Sequence, residues 1–297
     1  MKSLHTLLAG AIDYAGLFPP AKLDMDSAVR NYAAYRNGEH VWALGRFIVP
    51  AGRLSEFGQA LDGLAKPARE PWRVSALVGP DTKDDIVSIT RFNKDTAGHR
   101  DTSVLVDTVE ARATTVDEIE HLRNSIPRLF MTYVEIPVDT DPGHLIESIR
   151  SASIRAKVRT GGVTTDSFPS GANLARFIST CAAKKVAFKA TAGLHHPLRA
   201  RYRLTYEPDG PQGTMFGFLN LFVAAAVASG GADLSEINKV LDEQSASAFR
   251  FGESDIFWDH VSIDLGCITS LRKELSVSFG SCSFTEPIEG LTSLGLL

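Results

Sequence analysis

The chain has 297 residues, 44% of them hydrophobic and 22% charged, with a formal net charge of −4. That composition suits a globular chain with a large core. It lacks the long lysine and arginine runs that would put a basic face against a phosphate backbone, so nucleic acid is not expected as a partner.

In chain order, short apolar or β-branched runs alternate with segments of helical spacing. A first strand is expected over residues 5–12, then a helix over 25–36 that Asp24 can cap. The cycle repeats with strands over 43–49, 73–78 and 103–109, and helices over 54–64, 83–92 and 116–124. Thr115 stands three residues before Glu118 at the head of the last of these helices, a capping-box pattern. Strands over 128–136, 155–159 and 186–190 are followed by helices over 142–151, 171–183 and 213–229. Residues 248–251 read as the eighth strand, opening a hairpin that runs to Trp258. A helix over 265–274 and a capping tail over 275–297 complete the chain.

Strands alternating with helices make parallel βαβ units. Eight such units predict a (β/α)8 TIM barrel, expected as one domain over 1–297 with a long loop, 195–213, after the seventh strand. No Gly-x-Gly-x-x-Gly follows the first strand, which argues against a dinucleotide-binding fold. The longest apolar stretch, 216–228, contains Asn220 and is too short to cross a bilayer, so no membrane is expected. Cys181, Cys267 and Cys282 are scattered, with no Cys-x-x-Cys pair to suggest a disulfide framework or a structural zinc. A reducing, cytoplasmic setting is the default, with a homo-oligomer left open.

In a barrel the chemistry comes from the C-terminal strand ends. On the sixth strand, alternation puts Lys157 and Arg159 on one face, ahead of Thr160 and a Gly161-Gly162 turn whose N–H groups could meet an anion. On the seventh, Lys189 and Thr191 share a face. If Phe188 packs outward, Lys189 points inward one strand from Lys157. Two neighbouring ammonium groups disfavour each other's protonation, and a neutral lysine can attack a carbonyl. The structural alternative is a lysine paired with barrel carboxylates.

Lys189-Ala-Thr-Ala-Gly193 resembles the Lys-Thr-Ser-Thr-Gly segment of deoxyribose-phosphate aldolases, class I barrel aldolases whose strand-end lysine forms a Schiff base with the substrate. In that family an auxiliary lysine lies on the strand after the Schiff-base lysine, whereas Lys157 precedes Lys189. The set Lys157-Val-Arg-Thr-Gly-Gly162, Phe188-Lys-Ala-Thr-Ala-Gly-Leu-His-His-Pro197 and Phe279-Gly-Ser-Cys-Ser-Phe284 also resembles a bacterial family of barrel-like proteins. That resemblance implies a fold and no reaction.

Other candidates flank these strands. His195 and His196 could serve as acid/base groups or ligands, and adjacent side chains should diverge. Asp13, after the first strand, could neutralise Lys157, Arg159 or Lys189. Arg46 is a deeper inward cation, and Ser281 and Ser283 could close over an anion around Cys282, which has no base partner in sequence. The leading expectation is a lyase acting on a small anionic carbonyl compound through a Lys189 imine, without a cofactor. Lys157 would depress the Lys189 pKa, Arg159 and the glycine turn would hold the anion, and Glu135, Asp13 or a histidine would move protons. The alternatives are a divalent-metal hydrolase or lyase built on Glu135, His195 and His196, with Asp107 or Glu110 as further ligands, and a non-catalytic barrel that binds an anionic metabolite.

Overall fold

A computed structural model describes residues 1–64, 71–97 and 104–297. Its centre is a closed barrel of eight parallel strands. Seven follow in chain order: β1 (Ile12–Tyr14), β2 (Leu44–Pro50), β3 (Trp72–Leu77), β4 (Val104–Arg112), β5 (Met131–Glu135), β6 (Arg155–Arg159) and β7 (Phe188–Thr191). Four further strands, β8 (Ala200–Arg203) to β9 (Gln212–Met215) and β10 (Phe249–Phe251) to β11 (Asp255–Trp258), form antiparallel pairs outside the barrel, and β12 (Val261–Asp264) extends the second pair. The barrel closes through β13 (Ser276–Ser281), which lies between β7 and β1.

The helices are α1 (Lys2–Leu8), α2 (Met25–Arg36), α3 (Leu54–Asp62), α4 (Thr82–Ala97), α5 (Val116–Ser125), α6 (Gly143–Ala152), α7 (Gly171–Lys184), α8 (Phe218–Ser229), α9 (Leu234–Asp242), α10 (Leu265–Glu274) and α11 (Thr285–Ser293). One helix follows each of β1 to β6, as a TIM barrel requires. The expected caps are present: the Asp24 side chain accepts from Ser27 N–H, and Thr115 and Glu118 form the reciprocal capping box.

Three expectations change. Residues 5–12 do not form a strand: Leu4, Leu7 and Leu8 are buried at the i, i+3, i+4 spacing of helix α1, and Gly10, at φ 58°, turns the chain into a three-residue β1. The eighth barrel strand is β13, inside the expected capping tail, while residues 248–251 pair only with β11 in the small antiparallel sheet. Alternation in Ser276-Val-Ser-Phe-Gly-Ser281 is muted because a barrel strand is covered on both faces. Residues 212–215 form β9 rather than the start of a helix, so α8 begins at Phe218. The expected start of the fourth strand at Ser103 lies outside the described residues.

The core lies between strands and helices. Phe47 stacks on Phe57, Phe177 meets Phe188 edge-on, and Phe279 of β13 stacks on Phe218 of α8. Each fully buried side chain of this kind contributes about 1.5–3 kcal/mol. Among the described residues, no helix is long and apolar enough to cross a membrane. A chain ending after Leu275 loses β13 and leaves β7 and β1 as bare edges. Urea titration followed by circular dichroism should show no cooperative transition for it, whereas removing only a non-structural tail would leave the transition intact.

Candidate active site at the barrel mouth

Register decides which side chains meet inside the barrel. Arg112 lies opposite Glu135, Glu135 opposite Lys157, Lys157 opposite Lys189, and Lys189 opposite Ser278. Side chains in register on parallel strands point the same way, so these five form one inward row. Phe188 does pack outward, against α7, which turns Lys189 into the barrel as alternation requires.

Glu110 of β4 reaches between the two lysines. Its Oε1 accepts from Lys189 Nζ at 2.7 Å and from Ser75 Oγ at 2.6 Å, and its Oε2 lies 2.8 Å from Lys157 Nζ. Lys189 also donates to Asp13 Oδ2 at 2.6 Å, an oxygen that accepts from Ser278 Oγ at 2.8 Å. Asp13 Oδ1 accepts from the Arg46 backbone N–H at 2.7 Å. A Cβ on Gly45 would stand 2.3 Å from that oxygen, so glycine makes room for the carboxylate. Glu135 completes the chain of charges, with Oε2 3.0 Å from Lys157 Nζ and Oε1 3.1 Å from Arg159 Nε and 3.2 Å from Arg112 Nη2. Asp13, Glu110 and Lys189 are each 1% exposed and Lys157 4%.

This arrangement reverses one expectation. Lys189 is not depressed by its neighbour, because the Glu110 carboxylate stands between the two ammonium groups. Burial opposes the ammonium form of Lys189, but Asp13 and Glu110 outweigh it and raise its pKa above the ordinary 10.5. Burial likewise opposes the Glu110 carboxylate, and Lys157 and Lys189 outweigh it, holding its pKa well below 4.5. Glu135 is also lowered, by Lys157, Arg159 and Arg112 against its own burial. The inner cations therefore find their anions within the protein. Three carboxylates, Asp13, Glu110 and Glu135, face four cations, Lys157, Lys189, Arg112 and Arg159, which leaves one positive charge in excess. The exposed Arg112 and half-exposed Arg159 place it at the rim.

A cavity of about 370 Å³ opens at the C-terminal ends of the strands. Lys157, Glu110, Glu135, Arg112 and Arg159 line it, together with Gly162, Thr191, His195, Gly280 and Cys282. Lys189 and Asp13 are not part of its wall. A larger groove of about 590 Å³ beside Asn238 and Trp258 lies away from these strand ends and gathers no buried charges.

The remaining candidates divide between wall and support. Thr160 is buried and donates to Ala192 O at 2.5 Å, holding a residue with φ 61°. Gly161 packs against the Phe168 ring and against Gly193, whose own φ is 72°. Two consecutive left-handed residues turn the loop after β7 back over the mouth, a conformation that costs free energy at Ala192 and is held by its neighbours. Of the glycine pair, only Gly162 reaches the cavity. His195 and His196 diverge as expected. His195 lines the cavity, while His196 stacks on Tyr202 at 3.6 Å, where burial lowers its pKa to about 4 and takes it out of the expected substrate contacts. Arg46 is likewise removed from that set: its guanidinium binds Asp107 at 2.7 and 3.1 Å, an anion it shares with Arg73. Ser281 is buried, 3.3 Å from His195 Nδ1, and Ser283 Oγ accepts from Glu286 N–H at the head of α11.

The expected metal-ligand set does not converge. The Glu135 oxygens meet Lys157, Arg159 and Arg112, His195 faces Glu286, and among the described residues no three His, Cys, Asp or Glu side chains gather around one point. Two participants escaped sequence reading as members of this cluster. Glu110 was placed just beyond an expected strand end at Val109, but β4 continues to Arg112, and the alternation of Thr108, Glu110 and Arg112 carried that signal. Glu286, which joins His195, had no local signal. The chain matches no family model, no curated protein and no solved structure, so the aldolase-like segment has no wider sequence support.

Glu110→Gln removes a carboxylate shared by two buried ammonium groups and should cost about 3–5 kcal/mol in urea unfolding. Because the folded Glu110 pKa is depressed, its stabilisation is complete above 4.5 and is lost as pH falls through the folded value. Acid unfolding of the variant should therefore be less steep below pH 4.5 than that of the wild type.

Proposed function

We propose that the mouth cavity is the active site of a lyase acting on a small anionic carbonyl compound, and that Lys157, rather than Lys189, is the amine that meets the carbonyl. The observation that carries this reading is that Lys157 is the lysine in the cavity wall, with Glu110 and Glu135 at 2.8 and 3.0 Å from its Nζ. Lys189 lies behind it, fixed by Asp13 and Glu110.

Each group then has a task. The rim guanidinium groups of Arg112 and Arg159 bind the carboxylate or phosphate of the substrate, where the excess positive charge lies. Lys157 passes a proton to Glu135 and its nitrogen attacks the carbonyl carbon. Glu135 returns that proton to the carbinolamine oxygen, which leaves as water and yields a protonated imine, an electron sink for breaking the neighbouring carbon–carbon or carbon–oxygen bond. Glu135, a carboxylate again, takes a proton from the substrate as that bond breaks and delivers it to the departing group or the enamine carbon, and hydrolysis of the imine restores the Lys157 ammonium. Lys189 is a positioning residue that keeps Glu110 ionised and aimed at Lys157.

Borohydride reduction in the presence of pyruvate, glyoxylate and short aldehyde phosphates should fix one adduct, mapped by peptide mass spectrometry to Lys157. Lys157→Arg should lower turnover on the order of 10²–10⁴-fold, since a guanidinium cannot form the imine. An adduct on Lys189 alone, or full activity in Lys157→Arg, would overturn the assignment.

A further inference from the structure

Besides Lys157 the cavity wall carries a group that the imine chemistry does not use. Cys282 follows β13 directly and lines the cavity while only 5% exposed. Its Sγ lies 3.8 Å from His195 Nδ1 and 3.5 Å from Tyr206 Oη. The same His195 nitrogen is 3.2 Å from Glu286 Oε2 and 3.3 Å from Ser281 Oγ. Tyr206 belongs to the loop between β8 and β9, so two separate segments of the long excursion after β7 converge on one sulfur. The His195 ring nitrogen and the Tyr206 hydroxyl thus both lie within hydrogen-bond reach of Sγ, and the charged form of that ring has a carboxylate partner.

We propose that Cys282 is a nucleophilic thiol of the barrel mouth, assisted by His195 and Tyr206, which adds reversibly to small aldehydes entering the cavity. In that step the S–C bond forms as the carbonyl π bond breaks. The thiol proton passes through His195 to the new alkoxide, and the product is a thiohemiacetal with no other reactant consumed. The proposal rests on the cavity admitting a small carbonyl compound, as the imine reading does, but it does not need Lys157.

The surroundings fit the assignment. His195 is held by Glu286 and the sulfur: burial opposes its charge, but Cys282 and Glu286 outweigh this and lift its pKa to about 9. The other titratable groups facing this pair are Tyr206, Tyr14 and the neutral His196. Asn220 fixes the loop that carries His195. Its Oδ1 accepts from Arg199 N–H and its Nδ2 donates to Val240 O and Glu243 O, while Phe218 N–H bonds to His196 O.

The chain contains its own controls. Cys267 is exposed on α10 with Sγ near Asp264, and Cys181 is buried in α7. The folded protein would be treated with limiting iodoacetamide at pH 7, with N-acetylcysteine in the same solution, and each cysteine followed by peptide mass spectrometry. Cys282 should be alkylated at least about tenfold faster than Cys267 and faster than N-acetylcysteine, although exposure alone puts Cys267 first. Cys181 should stay unlabelled, which reports an intact fold. Glyoxylate should protect Cys282, and His195→Gln should slow its labelling about tenfold. If that variant unfolds, as Cys181 labelling would reveal, glyoxylate protection in the wild type decides. Labelling of Cys267 first, or a Cys282 rate indifferent to both glyoxylate and His195, would overturn the proposal. In Lys157→Met the rapid labelling of Cys282 should persist, so failure of the imine reading and failure of this one give different results.

Discussion

A carboxylate between two buried ammonium groups organises this barrel. Glu110 touches Lys157 with one oxygen and Lys189 with the other, and both lysines owe their burial to it and to Asp13 and Glu135. Taking any one of these ions out of water alone would cost several kcal/mol. Held together, each charge has a partner within about 3 Å, and the polar row across β4 to β13 can sit inside a barrel whose outer faces are apolar.

That constraint explains why the two lysines are unequal. Lys189 is spent on Asp13 and Glu110, the first from β1 and the second from β4, so it ties opposite sides of the barrel together. Lys157 has its carboxylates on one side and the cavity on the other. The inner charges balance within the protein, and the excess positive charge falls to Arg112 and Arg159 at the rim. The site is thus layered, with buried ion pairs below and the cavity above. The left-handed pair Ala192-Gly193 leads to His195 at the cavity wall, where Cys282 follows β13.

Much of this was legible in the chain itself. Alternation predicted that Lys157, Arg159 and Lys189 point inward, because a side-chain period of two fixes the face once Phe188 is assigned to the helices. Asp13 was expected as a neutralising anion and is one, although it lies within β1 rather than after a strand over 5–12. Other features were not. Residues 248–251 look as strand-like as Ser276–Ser281, and only pairing partners separate them: β13 has β7 and β1 waiting, whereas β10 has β11. Arg46 and Lys157 are both inward cations by alternation, yet their depth along the strand sends one to Asp107 and the other to the cavity.

By itself the sequence determined the repeating strand–helix order, the inward face of the lysine strands and the capping of several helices, because each depends on neighbours within a few residues. Tertiary structure decided which strand closes the barrel, whose carboxylate faces which lysine, and that His195 meets Cys282 and Glu286 from 87 and 91 positions away. Those outcomes depend on register around a closed ring, which no local pattern encodes. The same fact redirects the chemistry: Glu110 reaches Lys189 across 79 residues, and that contact makes Lys189 a support and leaves Lys157 at the wall.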